Sequence, residues 1–182
     1  LIEMDNELSL EYNMLYDNTK FVSFNILSEN RTTFTNYITT GFHWEVSPLE
    51  SHDYYEPRVD GWMLKYPPVG YFGAFFSPDY RKRFVLDLSG GYWAATANGS
   101  SGYDFSVRPR LRVSDSFTLK LSLNYDLDWN NLGYVTDSLD NNGDERIIIG
   151  ARDVQTFESV LDIKYIFTKN ISLSLRARHY WI

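Results

Sequence analysis

The chain has no cysteine among its 182 residues, which excludes disulfides and thiol chemistry. No apolar run approaches the ~20 residues that a spanning helix needs. No initiator methionine and no secretion signal are present. The chain opens Leu1-Ile2-Glu3, with acids where a signal carries basic residues, so it is expected to be processed, trimmed or taken from a longer protein. Histidine is scarce: His43, His52 and His179 lie far apart, without metal-ligand spacing. G-x-S-x-G, H-E-x-x-H, the phosphate loop and the glycine-rich dinucleotide fingerprint are missing, and no two carboxylates are spaced as an acid–base couple. Neither catalysis nor a cofactor is expected. A net charge of -7 provides no broad positive field, so nucleic acid is not an expected partner.

What is abundant is aromatic. Phe, Tyr and Trp make up 17% of the chain, and Tyr and Trp favour membrane–water interfaces because each joins an apolar ring to a polar atom. With 43% hydrophobic and 23% charged residues, the composition is that of a folded domain. Mean hydropathy is -0.35, a value typical of soluble proteins. In a membrane barrel, however, lipid-facing and interior residues alternate and cancel in the average.

The dominant pattern has period two, which predicts strands. From Phe117 to Trp129, the odd positions Phe117, Leu119, Leu121, Leu123, Tyr125, Leu127 and Trp129 form one apolar row. Thr118, Lys120, Ser122, Asn124, Asp126 and Asp128 form the opposite polar row. Such a strand is roughly 40 Å long, and tilted by about 45° it matches the hydrocarbon thickness of a bilayer. Similar alternation runs through Glu7–Tyr16, Val22–Ile26, Phe34–Glu45, Arg83–Tyr92, Tyr103–Arg112, Phe157–Phe167 and Ile171–Trp181. Around Trp62–Ser77 the pattern weakens, and Pro67-Pro68 predicts a break there.

Short connections are predicted near Glu29–Arg31, Pro78–Lys82, Ser114–Ser116 and Thr168–Asn170, and longer ones near Ser47–Asp60, Ala97–Ser101 and Asn130–Arg152. A further short turn is expected near Asp17–Thr19. Short and long connections alternate along the chain, as they do in an up-and-down barrel with short turns on one side and long loops on the other. About nine spanning strands are expected. Single-chain bacterial barrels have even numbers, so the chain reads as a single domain, residues 1–182, incomplete at both ends.

The expected fold is therefore all-β: an antiparallel up-and-down transmembrane β-barrel, or a contiguous segment of a larger one. Alternation alone also suits a soluble sandwich or a lipocalin-like barrel with its apolar face turned inward. Three features favour the membrane: strands of about 11–15 residues, apolar rows ending in aromatics, and polar rows carrying both signs of charge. The expectation is a pore or surface scaffold in a bacterial outer membrane, in contact with lipid, glycans or other outer-membrane subunits. The alternatives are a soluble β-barrel binding a small apolar ligand and an outer-membrane enzyme.

Two candidate sites follow. Arg108, Arg110 and Arg112 share one face of one strand, and Arg176 and Arg178 share a face of another. Together they predict a basic interior strip that selects anions or holds an acidic glycan. The plainer alternative is a charge lattice with Asp104, Asp126, Asp128, Glu158 or Asp162. The second candidate is the oxygen-rich segment Asp137–Glu145, where Asp140, Asn142 and Asp144 suit calcium by ligand type. Its glycine lies three residues after Asp140 rather than five, unlike an EF-hand, so a solvated loop is the alternative.

Several stretches together carry a resemblance: Asp53-Tyr-Tyr-Glu-Pro-Arg-Val-Asp-Gly61, Ser77-Pro-Asp-Tyr-Arg-Lys-Arg-Phe84, Arg108-Pro-Arg110, Ile147-Ile-Ile-Gly-Ala-Arg-Asp-Val-Gln-Thr156, Lys164-Tyr-Ile-Phe-Thr168 and Ser172-Leu-Ser-Leu-Arg-Ala-Arg-His-Tyr-Trp181. From about Asn36 onward the chain resembles the C-terminal β-barrel region of an uncharacterised family of Bacteroidetes-type outer-membrane proteins. Those proteins carry a family-nine-like carbohydrate-binding domain at the N-terminus. The resemblance implies further barrel strands on both sides and a glycan-related role. It supplies no catalytic residue.

Overall fold

A computed structural model describes residues 1–16, 19–139, 142, 143 and 145–182. Among these residues there is no helix. Eleven strands follow one another: β1 (Glu3–Met14), β2 (Phe21–Thr33), β3 (Thr39–Ser47), β4 (Ser51–Asp53), β5 (Leu64–Tyr66), β6 (Val69–Ser77), β7 (Phe84–Ala95), β8 (Ser101–Arg112), β9 (Phe117–Leu139), β10 (Glu145–Thr168) and β11 (Ile171–Trp181). Nine of them form one antiparallel sheet in the order β1-β2-β3-β6-β7-β8-β9-β10-β11, and β4 pairs with β5 as a separate small hairpin. Each long strand thus pairs with its nearest long neighbours in sequence, as short connections dictate. The sheet is open, with β1 and β11 at its edges.

The alternating pattern sorts side chains onto two faces, and the register keeps like with like. Lys120 lies opposite Arg110 and Asp162, and Leu121 lies opposite Leu161. On β1, Leu8, Leu10 and Tyr12 share the apolar face, while Glu7, Ser9 and Glu11 share the other. The polar face is the more enclosed. The buried hydrophobic side chains Val85 and Val160 both lie on it, as do the buried Ser47 and Ser106. The apolar face is open: Leu8 is 68% exposed, Phe72 55%, Phe105 52% and Leu173 58%. The total accessible surface is 12421 Å². A compact soluble monomer of this mass exposes roughly 9,000 Å². The excess is what a single sheet with an uncovered apolar face produces.

Curvature toward the polar side is built from glycine and aromatic pairs. Gly91 gives room for Tyr71 of β6 to reach over β7, where its hydroxyl donates to the Asp104 carboxylate of β8 at 2.9 Å. Gly102 likewise lets the Trp93 indole of β7 cross β8 and donate to Asp128 of β9 at 3.1 Å. Phe75 lies over Gly41, and His43 and Tyr71 lie over Gly73. In each case the missing Cβ is the space that the neighbouring ring fills.

One rim carries short connections, at residues 34–38, 78–83, 113–116 and 169–170. The other carries the turn after β1, the excursion of residues 48–68 containing β4 and β5, the turn at 96–100, and the β9–β10 hairpin. Three sequence expectations change here. The turn placed at Glu29–Arg31 lies instead at 34–38, closed by the Phe34 N–H donating to the Ile38 carbonyl; Phe34 and Ile38 are turn residues, not members of the β3 row. The strand was obscured because Ser28, Asn30 and Thr32 occupy its apolar-side positions, so the alternation fades before the strand ends. The connection at Ala97–Ser101 is a tight turn, with the Ala95 N–H donating to the Ser100 carbonyl. And most of Asn130–Arg152 is strand: β9 and β10 are 23 and 24 residues long and continue as a paired ribbon beyond their neighbours. The expected boundaries mark where this ribbon leaves the sheet. Asn130 has φ 51°, β8 stops pairing at Trp129, and the register shifts between Arg152 and Val154. The turn expected at Asp17–Thr19 falls partly outside the described residues; Leu15 and Lys20 close it by a backbone hydrogen bond.

Candidate functional site

The concave polar face holds a trough of about 1180 Å³ reaching from β1 to β8. Its β1–β3 side is acidic, lined by Glu3, Glu7, Glu11, Glu29 and Glu45, with Glu7 directly opposite Glu29. Arg31, Arg81 and Arg108 also reach the trough.

At the short-turn rim the trough is edged by a clamp between two turns. The Arg81 guanidinium donates to Asp79 through Nε and Nη2, both at 2.9 Å, and stacks on the Tyr37 ring at 3.4 Å from its centroid. A bidentate fork of this kind strongly favours the charged acid. The Arg81 side chain, with help from its backbone N–H, holds the Asp79 carboxyl at about 2, well below the usual range. Beside it, Asp87 accepts from Ser77 Oγ at 2.6 Å and from the Tyr80 hydroxyl.

The opposite rim is crossed by the β4–β5 excursion. Tyr54 donates to the Phe21 carbonyl at 3.0 Å, and His52 packs edge-on against the Phe21 ring. Two residues later, the Glu56 carboxylate accepts from the Tyr134 N–H at 2.7 Å, and Arg58 lies over the Tyr134 ring. The excursion therefore ties the start of β2 to the β9–β10 ribbon.

A second cavity, of about 520 Å³, lies where β8, β9, β10 and β11 run side by side. Two cross-strand rows line it. The first reads Arg110, Lys120, Asp162, Arg176; the second reads Arg112, Thr118, Lys164, Ser174. Five cations face one carboxylate.

The predicted basic strip is thus divided. Arg110, Arg112 and Arg176 come together, joined by Lys120 and Lys164, which the sequence alone does not single out. Arg108 turns to the larger trough. Arg178 pairs with Glu158, and Arg176 makes a loose 3.9 Å pair with Asp162. Among the described residues, these two of the five arginines make ion pairs with carboxylates. Asp104 and Asp128 are taken by Tyr71 and Trp93 rather than by arginine. The Arg110 guanidinium donates to the Tyr80 carbonyl at 2.6 Å and stacks on its ring, and the buried Nε has no partner. Register was the signal that identified the pair of lysines: once Arg110 is matched with Lys120, and Thr118 with Lys164, all five cations fall on two rows.

Of the calcium candidates, Asp140 and Asp144 lie outside the described residues, and Asn142 is at the tip of the ribbon. Among the described residues no three His, Cys, Asp or Glu side chains gather as metal ligands. His43 stacks on Tyr71, His52 packs on Phe21, and His179 lies on the exposed apolar row of β11.

Neither the curated proteins nor the solved structures include a match to this chain. A family profile, described as Domain of unknown function (DUF5916), matches residues 1–182. The chain belongs to that family along its whole length.

Proposed function

We propose that this chain forms the wall of a β-barrel in a bacterial outer membrane, with its apolar face toward lipid and its charged face toward a water-filled interior, and that it serves as a pore or surface scaffold. The observation that carries this reading is the inversion of the usual order: buried side chains lie on the polar concave face, while Leu8, Phe72, Phe105 and Leu173 stand exposed on the other. In water, an excess of roughly 3,000 Å² left uncovered forgoes tens of kcal/mol of burial at about 25 cal/mol per Å², even if only half of it is apolar. In hydrocarbon the same face is satisfied. Strands of 12 residues, such as β1, β7 and β8, tilted by about 45°, rise roughly 28 Å, close to the hydrocarbon core.

The two edges add a constraint. β1 and β11 both run from the short-turn rim to the other rim, so direct pairing between them is parallel. An antiparallel closure takes an odd number of further strands between them, whichever chain supplies them.

A charged interior suits polar solutes, which agrees with the glycan-related role implied by the resemblance. A soluble carrier of a small apolar ligand would turn its apolar rows inward, whereas here those rows stand exposed on the convex side, so that alternative is the weaker reading. The test is a pair of adjacent substitutions on β9. Leu121→Arg puts a charge on the lipid face near mid-membrane and is expected to cost about 2–4 kcal/mol. Ser122→Arg, on the opposite face, should cost well under half of that. Denaturant unfolding in lipid vesicles measures both, and equal losses contradict the proposal.

A further inference from the structure

We infer that the smaller cavity, bounded by Arg110, Arg112, Lys120, Lys164 and Arg176, is a binding site for a soluble solute bearing phosphate. Arg110 and Lys120 are direct cross-strand neighbours, an arrangement that is unfavourable unless an anion sits between them. Asp162 is the one carboxylate lining the cavity, and its contact with Arg176 is loose at 3.9 Å. Arg112, Lys120 and Lys164 make no side-chain hydrogen bond or ion pair among the described residues, so their donors are available. The Arg110 guanidinium is held by Tyr80, which fixes its position, and its buried Nε remains without an acceptor. By contrast, Arg178 is matched with Glu158, and at the rim Arg81 is matched with Asp79.

The excess of four positive charges points to a group with more than one negative charge. Guanidinium forks fit phosphate oxygens two at a time, and lysines add point charge around them. A volume of about 520 Å³ exceeds that of a bare phosphate ion and leaves room for a sugar-sized body attached to it. The site faces the concave side, with the sheet between it and the apolar face, so the ligand arrives from water rather than as a lipid headgroup. This inference holds whatever covers the apolar face.

The test titrates the folded full chain with inorganic pyrophosphate, in detergent micelles or in plain buffer, whichever keeps it monodisperse. Arg112→Gln and Lys164→Gln remove charges that hold no structural partner, and Arg31→Gln on β2 removes one outside the cavity. Saturable pyrophosphate binding is expected, weakened about tenfold by Arg112→Gln, weakened by Lys164→Gln, little changed by Arg31→Gln, and falling steeply with salt. Far-UV circular dichroism checks that each variant is folded. The inference is overturned if folded wild-type chain fails to bind, if Arg31→Gln weakens binding as much as Arg112→Gln, or if only micelles doped with phosphatidic acid are bound.

Discussion

At the residue scale, the fold depends on a few positions where a side chain is missing. Gly102 is one: a Cβ there would lie 2.6 Å from the Leu127 carbonyl oxygen and would collide with the Trp93 indole nitrogen. Gly70, on the opposite face, has nothing within 4 Å. Gly102→Ala should therefore destabilise by about 1–3 kcal/mol and change Trp93 fluorescence, while Gly70→Ala should stay within about 0.5 kcal/mol. Matching unfolding curves for the two variants would remove the glycine–aromatic pairs from the account. The Asp79–Arg81 clamp makes a second prediction. Because the folded carboxyl is held below its ordinary value, the pair stabilises fully above about pH 4, and that contribution is lost as pH falls through about 2. A carbon-13 titration of Asp79 should show a midpoint near 2; a midpoint near 3.8 would mean that the fork does not form in solution.

At the element scale, the β4–β5 excursion is held by few contacts, and Glu56 is the central one. Glu56→Ala removes the acceptor of the Tyr134 N–H. Local opening should become about tenfold more frequent, read as faster tryptic nicking after the exposed Arg58. An unchanged nicking rate would show that the tie to the ribbon is dispensable. Legibility in the sequence also differs from element to element. Period two marked β7, β8, β11 and the sheet portions of β9 and β10, because those strands keep an apolar face along their length. It missed the end of β2 and the outer ribbon, where both faces are wet and alternation carries no information. The Pro67-Pro68 break was legible, since neither residue can donate to a ladder, and it falls between β5 and β6. The basic site was half legible. Arginines two apart on one strand announced a shared face, but which strands lie side by side, and in what register, decides that Lys120 and Lys164 join Arg110 and that Arg108 does not.

At the scale of the whole molecule, the sheet is a single curved layer with charged side chains on its concave face and apolar ones on the other. The concave face is polarised: acids crowd β1 to β3, and cations crowd the short-turn half of β8 to β11. The sheet's open edges, β1 and β11, run in the same direction, so these nine strands do not close on themselves in antiparallel fashion. The absence of cysteine makes the central claim directly measurable. Single cysteines at Leu121, Ser122, Leu123 and Asn124 can each carry a fluorophore in the chain reconstituted into lipid vesicles. Labels at 121 and 123 should be quenched by nitroxide-bearing lipids, and labels at 122 and 124 by a water-soluble quencher. Quenching that fails to alternate, or that alternates in the opposite sense, would contradict the account.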